Sequence, residues 1–306
     1  TIVTCGIYGF YWAYKQGEKL DRAKAARGME SGNSGVLYLI LTFIGLGIVA
    51  SSGEAKAADG DTNGEADVEV TAVAVLLDAE GKVVDVKLDT LAATTEWTST
   101  GTAVASTEVK TKYELGDAYN MAAFGKKHDG SEGKVLEWYA QADAFAATAK
   151  GKTAEEVKAF MTEDTYTTGD LAAAGCTISV YDFVAALEKA INSAADSSAT
   201  ANDTLSVALV SSPSYSNKDA SAEGDGLAQI DTTIVAAVKD AEGKVIVAKT
   251  DCVQGKEIKF DTTGKATGNA GLTLGIIGTS LAGLMALGNG GIGSLLGGGA
   301  QNCPGV

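Results

Sequence analysis

The apolar positions of this chain change period several times, and each change marks an element. Asp67–Asp89 reads as two β-branched runs around a turn, and its core is Val73-Ala-Val-Leu-Leu-Asp-Ala-Glu-Gly-Lys-Val-Val-Asp-Val-Lys-Leu-Asp89. The turn glycine can take positive φ without Cβ strain, which suits strand, turn, strand. The same pattern returns at Val235–Asp251, where Asp240–Val245 is identical to Asp78–Val83. Copies this far apart indicate two related units rather than a solenoid, whose period is shorter. Thr94–Lys112 is threonine-rich and alternates, so it is expected to continue the sheet.

Helical spacing comes next. Val135, Leu136, Tyr139, Ala142, Phe145 and Ala146 recur on one face of a helix expected over Glu132–Lys150. Thr153 with Glu156 forms a capping box that opens a short helix through Met161. Ser179 with Asp182 has similar spacing and opens a helix through about Ala194, burying Phe183, Val184, Leu187 and Ile191. Ser193–Asn202 is a polar linker. Leu205–Ser211, the hairpin within Gly224–Asp251 and Glu257–Phe260 return to strand. The expected class is α+β: antiparallel strands, then helices, then strands again.

The two ends differ from this body. Thr1–Tyr14 is apolar with an aromatic cluster at Tyr8, Phe10, Tyr11, Trp12 and Tyr14, and the basic segment Lys15–Arg27 comes after it. Rings at the end of an apolar run, then Lys and Arg, suit a membrane interface with its cytoplasmic side at 15–27. Val36–Ala50 is apolar but shorter than the roughly twenty residues of a spanning helix. It reads as a span of a thin bilayer, as a signal-type apolar core before the small residues Ala50-Ser51-Ser52, or as part of a buried helical hairpin. At the other end, Gly271–Gly299 alternates Gly with Leu, Ile, Ala and Met. Ile276–Leu287 is a helix candidate, weakened by Gly278 and Gly283. Contact with a membrane or partner is preferred there over disorder. The expected organisation is a hydrophobic membrane-associated hairpin at 1–50, a linker at 51–66, a first α+β unit at 67–195, a partial second unit at 203–268 and a Gly-rich apolar tail at 269–306.

Charge sharpens this division. The net charge is −15. Residues 1–35 are mildly basic, 51–268 carry the acidity without one arginine, and 269–306 hold no charged side chain. An acidic body without arginine argues against a nucleic-acid partner, because phosphate contacts need Lys and Arg on one face.

Candidate chemistry is sparse. Cys5, Cys176, Cys252 and Cys303 form no C-x-x-C pair. Cys176 and Cys252 either pair in an oxidising compartment or stay apart as two buried thiols, the preferred reading. His128, the single histidine, lies in the polar turn Lys-Lys-His-Asp-Gly and reads as a solvated loop residue. Asp59-Gly-Asp-Thr-Asn-Gly-Glu65 superficially suggests a calcium loop, but it lacks the flanking helices and the glutamate at the twelfth position. There is no phosphate-binding G-x-x-x-x-G-K-[ST] loop. Trp97, Trp138 and Tyr139 are candidate stacking partners for a noncovalent flavin, with core packing as the plainer role. Ser99-Thr-Gly-Thr102 is the string nearest to a covalent flavin site and does not match it. No catalytic, cofactor-binding or metal-binding residue is therefore assigned.

Two resemblances complete the reading. Thr4-Cys-Gly-Ile-Tyr-Gly-Phe-Tyr-Trp-Ala-Tyr-Lys15, Asn33-Ser-Gly-Val-Leu-Tyr-Leu-Ile40 and Ile44–Ala50 resemble the domain-of-unknown-function family 4234, small bacterial membrane proteins. This implies a membrane location and no known chemistry. Lys110–Met121, Glu137–Phe145, Gly151–Val157, Asp225–Gln229 and Phe260–Lys265 resemble a repeat of putative exported lipoproteins from anaerobic Gram-positive bacteria, grouped loosely with FMN-binding domains. The expected function is a non-enzymatic, membrane-tethered protein of the bacterial cell envelope, with an acidic extracytoplasmic region in a structural or interaction role. Its partners would be the membrane and either a second copy or another envelope protein. The alternative is an FMN-binding redox module of the cell surface. Head, body and tail each resemble something different, so a composite chain is a third reading.

Overall fold

From Ala72 to Leu77 the strand Gly64–Leu77 is apolar on both faces, and the architecture covers both. In the computed structural model, the described residues are 42–267 apart from 54, 105–108, 125–134, 198, 201–202, 214–215 and 256, with a few positions between 15 and 26. Strands β1 (Phe43–Ser52), β2 (Gly64–Leu77), β3 (Val83–Trp97), β4 (Ala103–Val104) and β5 (Ala195–Asp196) form an antiparallel sheet in the order β4-β3-β2-β1-β5. A second sheet has the order β6-β8-β9, from β6 (Thr204–Pro213), β8 (Ile230–Lys239) and β9 (Val245–Gln254). The short strands β7 (Gly226–Ala228) and β10 (Ile258–Phe260) pair with each other. Among the described residues, six short helices lie between β4 and β5: α1 (Lys112–Leu115), α2 (Met121–Phe124), α3 (Trp138–Ala149), α4 (Ala154–Lys158), α5 (Gly169–Ala173) and α6 (Tyr181–Asn192), with a 3-10 turn at Gly116–Tyr119. This is the α+β class expected.

The layers arise from side-chain alternation. On one face of the large sheet, Val73, Val75, Leu77, Val86 and Leu88 share a core with Phe145 of α3 and Phe183, Val184 and Leu187 of α6. On the other, Val68, Val70, Ala72, Leu91 and Ala93 meet Leu209, Ile230, Ile234 and Val253 of the second sheet. Ile44, Ala74 and Leu76 meet Leu205, Ala236 and Val238 beside them. The result is a helix layer, a sheet and a second sheet. A central strand covered on both faces reads as a continuous apolar run, although its pairing is antiparallel.

The two identical hexapeptides form the same turn. In each, the aspartate N–H donates to the lysine carbonyl (2.9 Å at Asp78, 3.0 Å at Asp240), and the glycine N–H donates to the aspartate carbonyl at 3.0 Å. The aspartate carboxylate accepts two more backbone N–H groups, from Glu80 and Lys82 in one and from Glu242 and Lys244 in the other. Gly81 has φ 77° and Gly243 φ 82°. The register slips at the same place in both, between Leu76 and Leu77 and between Val238 and Lys239.

Several expectations are corrected. Phe43–Ala50, read as part of a hydrophobic helical hairpin, is strand β1 and pairs with β2 along its whole length, from Phe43↔Leu77 to Ser52↔Val68. The rest of residues 1–41, beyond those few positions, lies outside the described residues, as do His128 and the tail from 268. β1 runs through the boundary expected at 50 and 51. The segment read as a linker carries the end of β1, bridges at Lys56↔Glu65 and Asp59↔Thr62, and the start of β2. Thr94–Lys112 continues the sheet only in part: Thr94–Trp97 ends β3 and Ala103–Val104 is β4, which pairs back on it, while Thr111 already caps α1. The Thr153–Glu156 capping box is present, but α4 ends at Lys158. Ser179 does not cap α6; its hydroxyl lies 2.8 Å from that of Thr165. Leu136, expected on the buried face of α3, is exposed.

Glycine permits the closest approaches. A Cβ at Gly45 would lie 1.9 Å from the Ala190 carbonyl oxygen, and one at Gly47 would lie 2.0 Å from that of Ala186. α6 therefore rests its backbone on β1. At Gly243 an added Cβ meets nothing within 4 Å, so only its positive φ resists substitution. Gly243→Ala is expected to cost about 1–2 kcal/mol from the left-handed backbone alone. Gly47→Ala is expected to cost at least about 3 kcal/mol, because backbone must move. Urea unfolding midpoints of the two variants measure the difference, and equal losses would contradict this account of the helix–sheet contact.

Candidate functional site

One cleft stands out among the described residues. It has a volume of about 310 Å³ and opens where the edges of β3 and β6 come together below α3. β4 pairs only with Glu96 and Trp97 of β3, so it leaves Val86–Asp89 clear. The polar lining comes from Lys87 and Asp89 on β3, Tyr113 on α1, Asp143 on α3 and Ser206 on β6, over an apolar floor that includes Leu205 and Val207.

Asp89 anchors the upper wall. Its Oδ1 accepts the N–H of Thr90 at 2.7 Å and that of Tyr113 at 3.2 Å. The Thr111 hydroxyl bonds to the same carboxyl. Asp89 therefore holds the first turn of α1 against the sheet, while the Thr111–Glu114 capping box closes the turn from the other side. Burial raises the Asp89 pKa above its ordinary value, although these hydrogen bonds oppose the shift.

Tyr113 reaches across to α3. Its hydroxyl donates to Asp143, with the two carboxylate oxygens at 3.0 and 3.2 Å. Its ring meets that of Tyr139 edge-on at 6.1 Å, and the Tyr139 hydroxyl donates to Asp117 at 3.1 Å. Burial, then the bond to Asp143, raises the Tyr113 pKa. Beside this group, Lys112 pairs with Glu69 at 3.0 Å and lies over the rings of Tyr119 and Trp138. The cleft thus holds two carboxylates against Lys87, with its phenol already engaged. Among the described residues that line it, no nucleophile is hydrogen-bonded to a base. Its chemistry suits a small cationic or neutral ligand better than an anion.

The sequence-derived candidates lie elsewhere. Trp97 is fully buried and stacks on Phe260, with centroids 5.7 Å apart and planes 9° apart. Trp138 is buried edge-on to Phe183. Only Tyr139 is near the cleft, so the three rings do not form a stacking platform. Ser99–Thr102 belongs to a tight turn in which Thr98 Oγ1 accepts the N–H groups of Thr100 and Thr102. Asp59–Glu65 is a narrow ribbon end closed by the Asp59↔Thr62 bridge and the Lys56–Glu65 ion pair. Cys176 is a free thiol, and burial pushes its pKa up to about 12, so the link to Cys252 is not formed. Cys252 is itself disulfide-bonded, and the expectation of two thiols holds at Cys176 alone.

Sequence pattern does not single out Asp89, Tyr113 and Asp143. A signal for one of them is nevertheless present, because Thr111-x-x-Glu114 has the spacing that reveals the Thr153 box. Read the same way, it starts a helix after Thr111 and places Tyr113 in its first turn.

The fold and cleft define an α+β sandwich, two antiparallel sheets under a one-sided helix layer, with an acidic edge cleft. Residues 1–77 match the family model Domain of unknown function (DUF4234), so the match ends where β2 ends. No curated protein and no solved structure matches the chain.

The raised pKa of Asp89 has a direction that can be measured. A folded-state pKa above the unfolded value means that stability is lost as pH rises from the unfolded to the folded pKa. Asp89→Asn keeps an acceptor oxygen for Thr90 and Tyr113 but does not ionise. Chemical denaturation at a series of pH values from about 3.5 to 7, which bracket an ordinary and a raised carboxyl, is expected to show wild type losing stability relative to the variant as pH rises. A gap that stays constant with pH would show that Asp89 does not carry the effect.

Proposed function

We propose that the protein is a non-enzymatic interaction module of a bacterial cell envelope, held at a membrane through residues 1–41 and presenting the acidic sandwich to an envelope partner. The observation that carries this reading is the state of the cleft's polar groups. Asp89 is engaged by Thr90, Thr111 and Tyr113, and Asp143 by Tyr113, so these side chains hold elements together. A catalytic carboxylate needs reach to a substrate atom. The acidity without arginine in 51–268 supports an outward, solvated surface.

The membrane part rests on the N-terminal pattern. β1 uses the apolar run from Phe43 on, and a spanning helix needs roughly twenty residues. The remaining head suits attachment at the interface, with the rings of Tyr8–Tyr14 at headgroup depth and Lys15–Arg27 on anionic lipid. The family match over residues 1–77 is compatible with this placement.

The flavin alternative keeps the exported location but needs an exposed ring to stack on the isoalloxazine. Protein purified in full yield is expected to lack the visible flavin absorbance band; a stoichiometric yellow chromophore would establish the alternative. For the membrane part, the full chain is expected to float with vesicles containing anionic lipid and to be released at high salt. Charge reversal at Lys15, Lys19, Arg22 and Lys24 is expected to abolish flotation. A chain that stays at the bottom of the gradient with every vesicle composition would remove the proposed attachment.

A further inference from the structure

The helix layer covers only one of the two three-stranded ribbons. Pairing register aligns them row by row. Gly45, Val75 and Val86 form one row of the large sheet, and Gly47, Val73 and Leu88 the next. The corresponding rows of the second sheet are Ser206, Ala237 and Ala248, then Ala208, Val235 and Thr250. In the large sheet these rows lie under α6 and α3. In the second sheet the same face carries no helix among the described residues. Ser206 lines the cleft below α3 and Ala237 is buried, but Ala208 and Thr250 are exposed, and Val210 beside them is 46% exposed. The open part of this face, at Ala208, Val210 and Thr250, consists of small and β-branched side chains without charge.

We propose that this face is the docking surface for the chain's own C-terminal segment around Ile276–Leu287, which takes the place that α6 holds on the other ribbon. Three observations support that occupant. The first is connectivity. In the first ribbon the polypeptide leaves the turn at Thr98–Thr102 through β4 and then supplies the helices that cover the sheet. In the second it leaves the matching turn, Asp261–Lys265, at the same position. The chain then continues into 269–306, a segment without a charged side chain.

The second is length: Ile276–Leu287 matches the 12 residues of α6. The third is steric. On the first ribbon the glycines are on the sheet, at Gly45 and Gly47, and α6 carries side chains. On the second ribbon Ser206 and Ala208 fill those positions, while Gly278 and Gly283 lie in the tail. The small residues have moved to the opposite partner, which restores room for close backbone approach. An apolar segment without charge gains most by covering apolar surface.

The test places a charge on the face and reads the tail in the full chain. Residues 269–306 of the wild-type protein are expected to resist proteinase K. Ala208→Glu is expected to speed their removal about tenfold, because cleavage tracks the population of the undocked segment. Thr250→Lys, at an exposed position of the same row, gives a second reading if Ala208→Glu folds poorly. Thermal unfolding of each variant reports on the sandwich itself. Equal cleavage of wild type and both folded variants would overturn the proposal. So would protection that appears only with vesicles, which would make the occupant a bilayer, or only at high protein concentration, which would make it a second copy.

Discussion

The structure depends on β2 being buried from both sides. A strand with one wet face is satisfied by a single layer. Val73 and Val75 on one side, with Val70, Ala72 and Ala74 on the other, require two. Each fully buried aliphatic side chain contributes on the order of 1.5–3 kcal/mol, so an uncovered face of β2 would offset much of a domain's net stability. This constraint fixes the order of layers. The helices must lie on one side, the second sheet must close the other, and β1 and β3 must flank the strand to pair its backbone. The cleft results from the same arrangement. It opens beside Val86–Asp89 of β3, where the helix layer and the edge of the second sheet both reach that strand.

The contact that locks the two ribbons is reciprocal. Trp97 ends β3 and lies over Gly64, where a Cβ would come within 2.2 Å of the ring. Phe260 ends β10 and lies over Gly226, where a Cβ would come within 2.3 Å. The two rings stack on each other, and Trp97 Nε1 donates to the Gly264 carbonyl at 2.8 Å. The turns exchange contacts in the same way. Gly101 faces the backbone of Asp261 and Thr262, and Gly264 faces that of Thr98 and Ser99. The arrangement has the logic of a two-fold interface within one chain, where each contact is made twice. It explains why a tryptophan, the natural first choice for a ligand platform, has no free face.

Much of this is legible in the residues. The hexapeptide pair locates both turns, and the period of the apolar positions locates α3 and α6, because each element buries one stripe. Periodicity does not assign partnership. Phe43–Ala50 is apolar and short, and pattern alone does not separate a strand from a piece of helix. Its pairing partner lies in β2, beyond the ribbon turn, and nothing local to the run records that. The acidic stretch after Ser52 reads as a linker because Gly, Ala, Asp and Glu are also the residues of tight ribbon ends. The cleft is least legible. Asp89, Tyr113 and Asp143 are ordinary residues far apart in the chain, and they meet only because α1 folds back over β3.

The fate of Phe43–Ala50 shows how such an ambiguity is decided. As a helix, the run would carry Gly45 and Gly47 in its interior, each less favourable than Ala by about 1 kcal/mol. As a strand, it places Ile44 and Ile48 in the core between the sheets and uses the same glycines to admit α6. The residues that penalise the helix are therefore those that the sheet needs. Lys189 strengthens the choice by donating to the Ile48 carbonyl at 2.9 Å, and the Ser193 hydroxyl bonds both backbone groups of Leu46. α6 thus satisfies backbone on the outer side of β1, where only the short β5 pairs with it among the described residues. An exposed edge of that kind invites pairing with other chains. Capping it with a helix end protects it and commits the run to the sandwich.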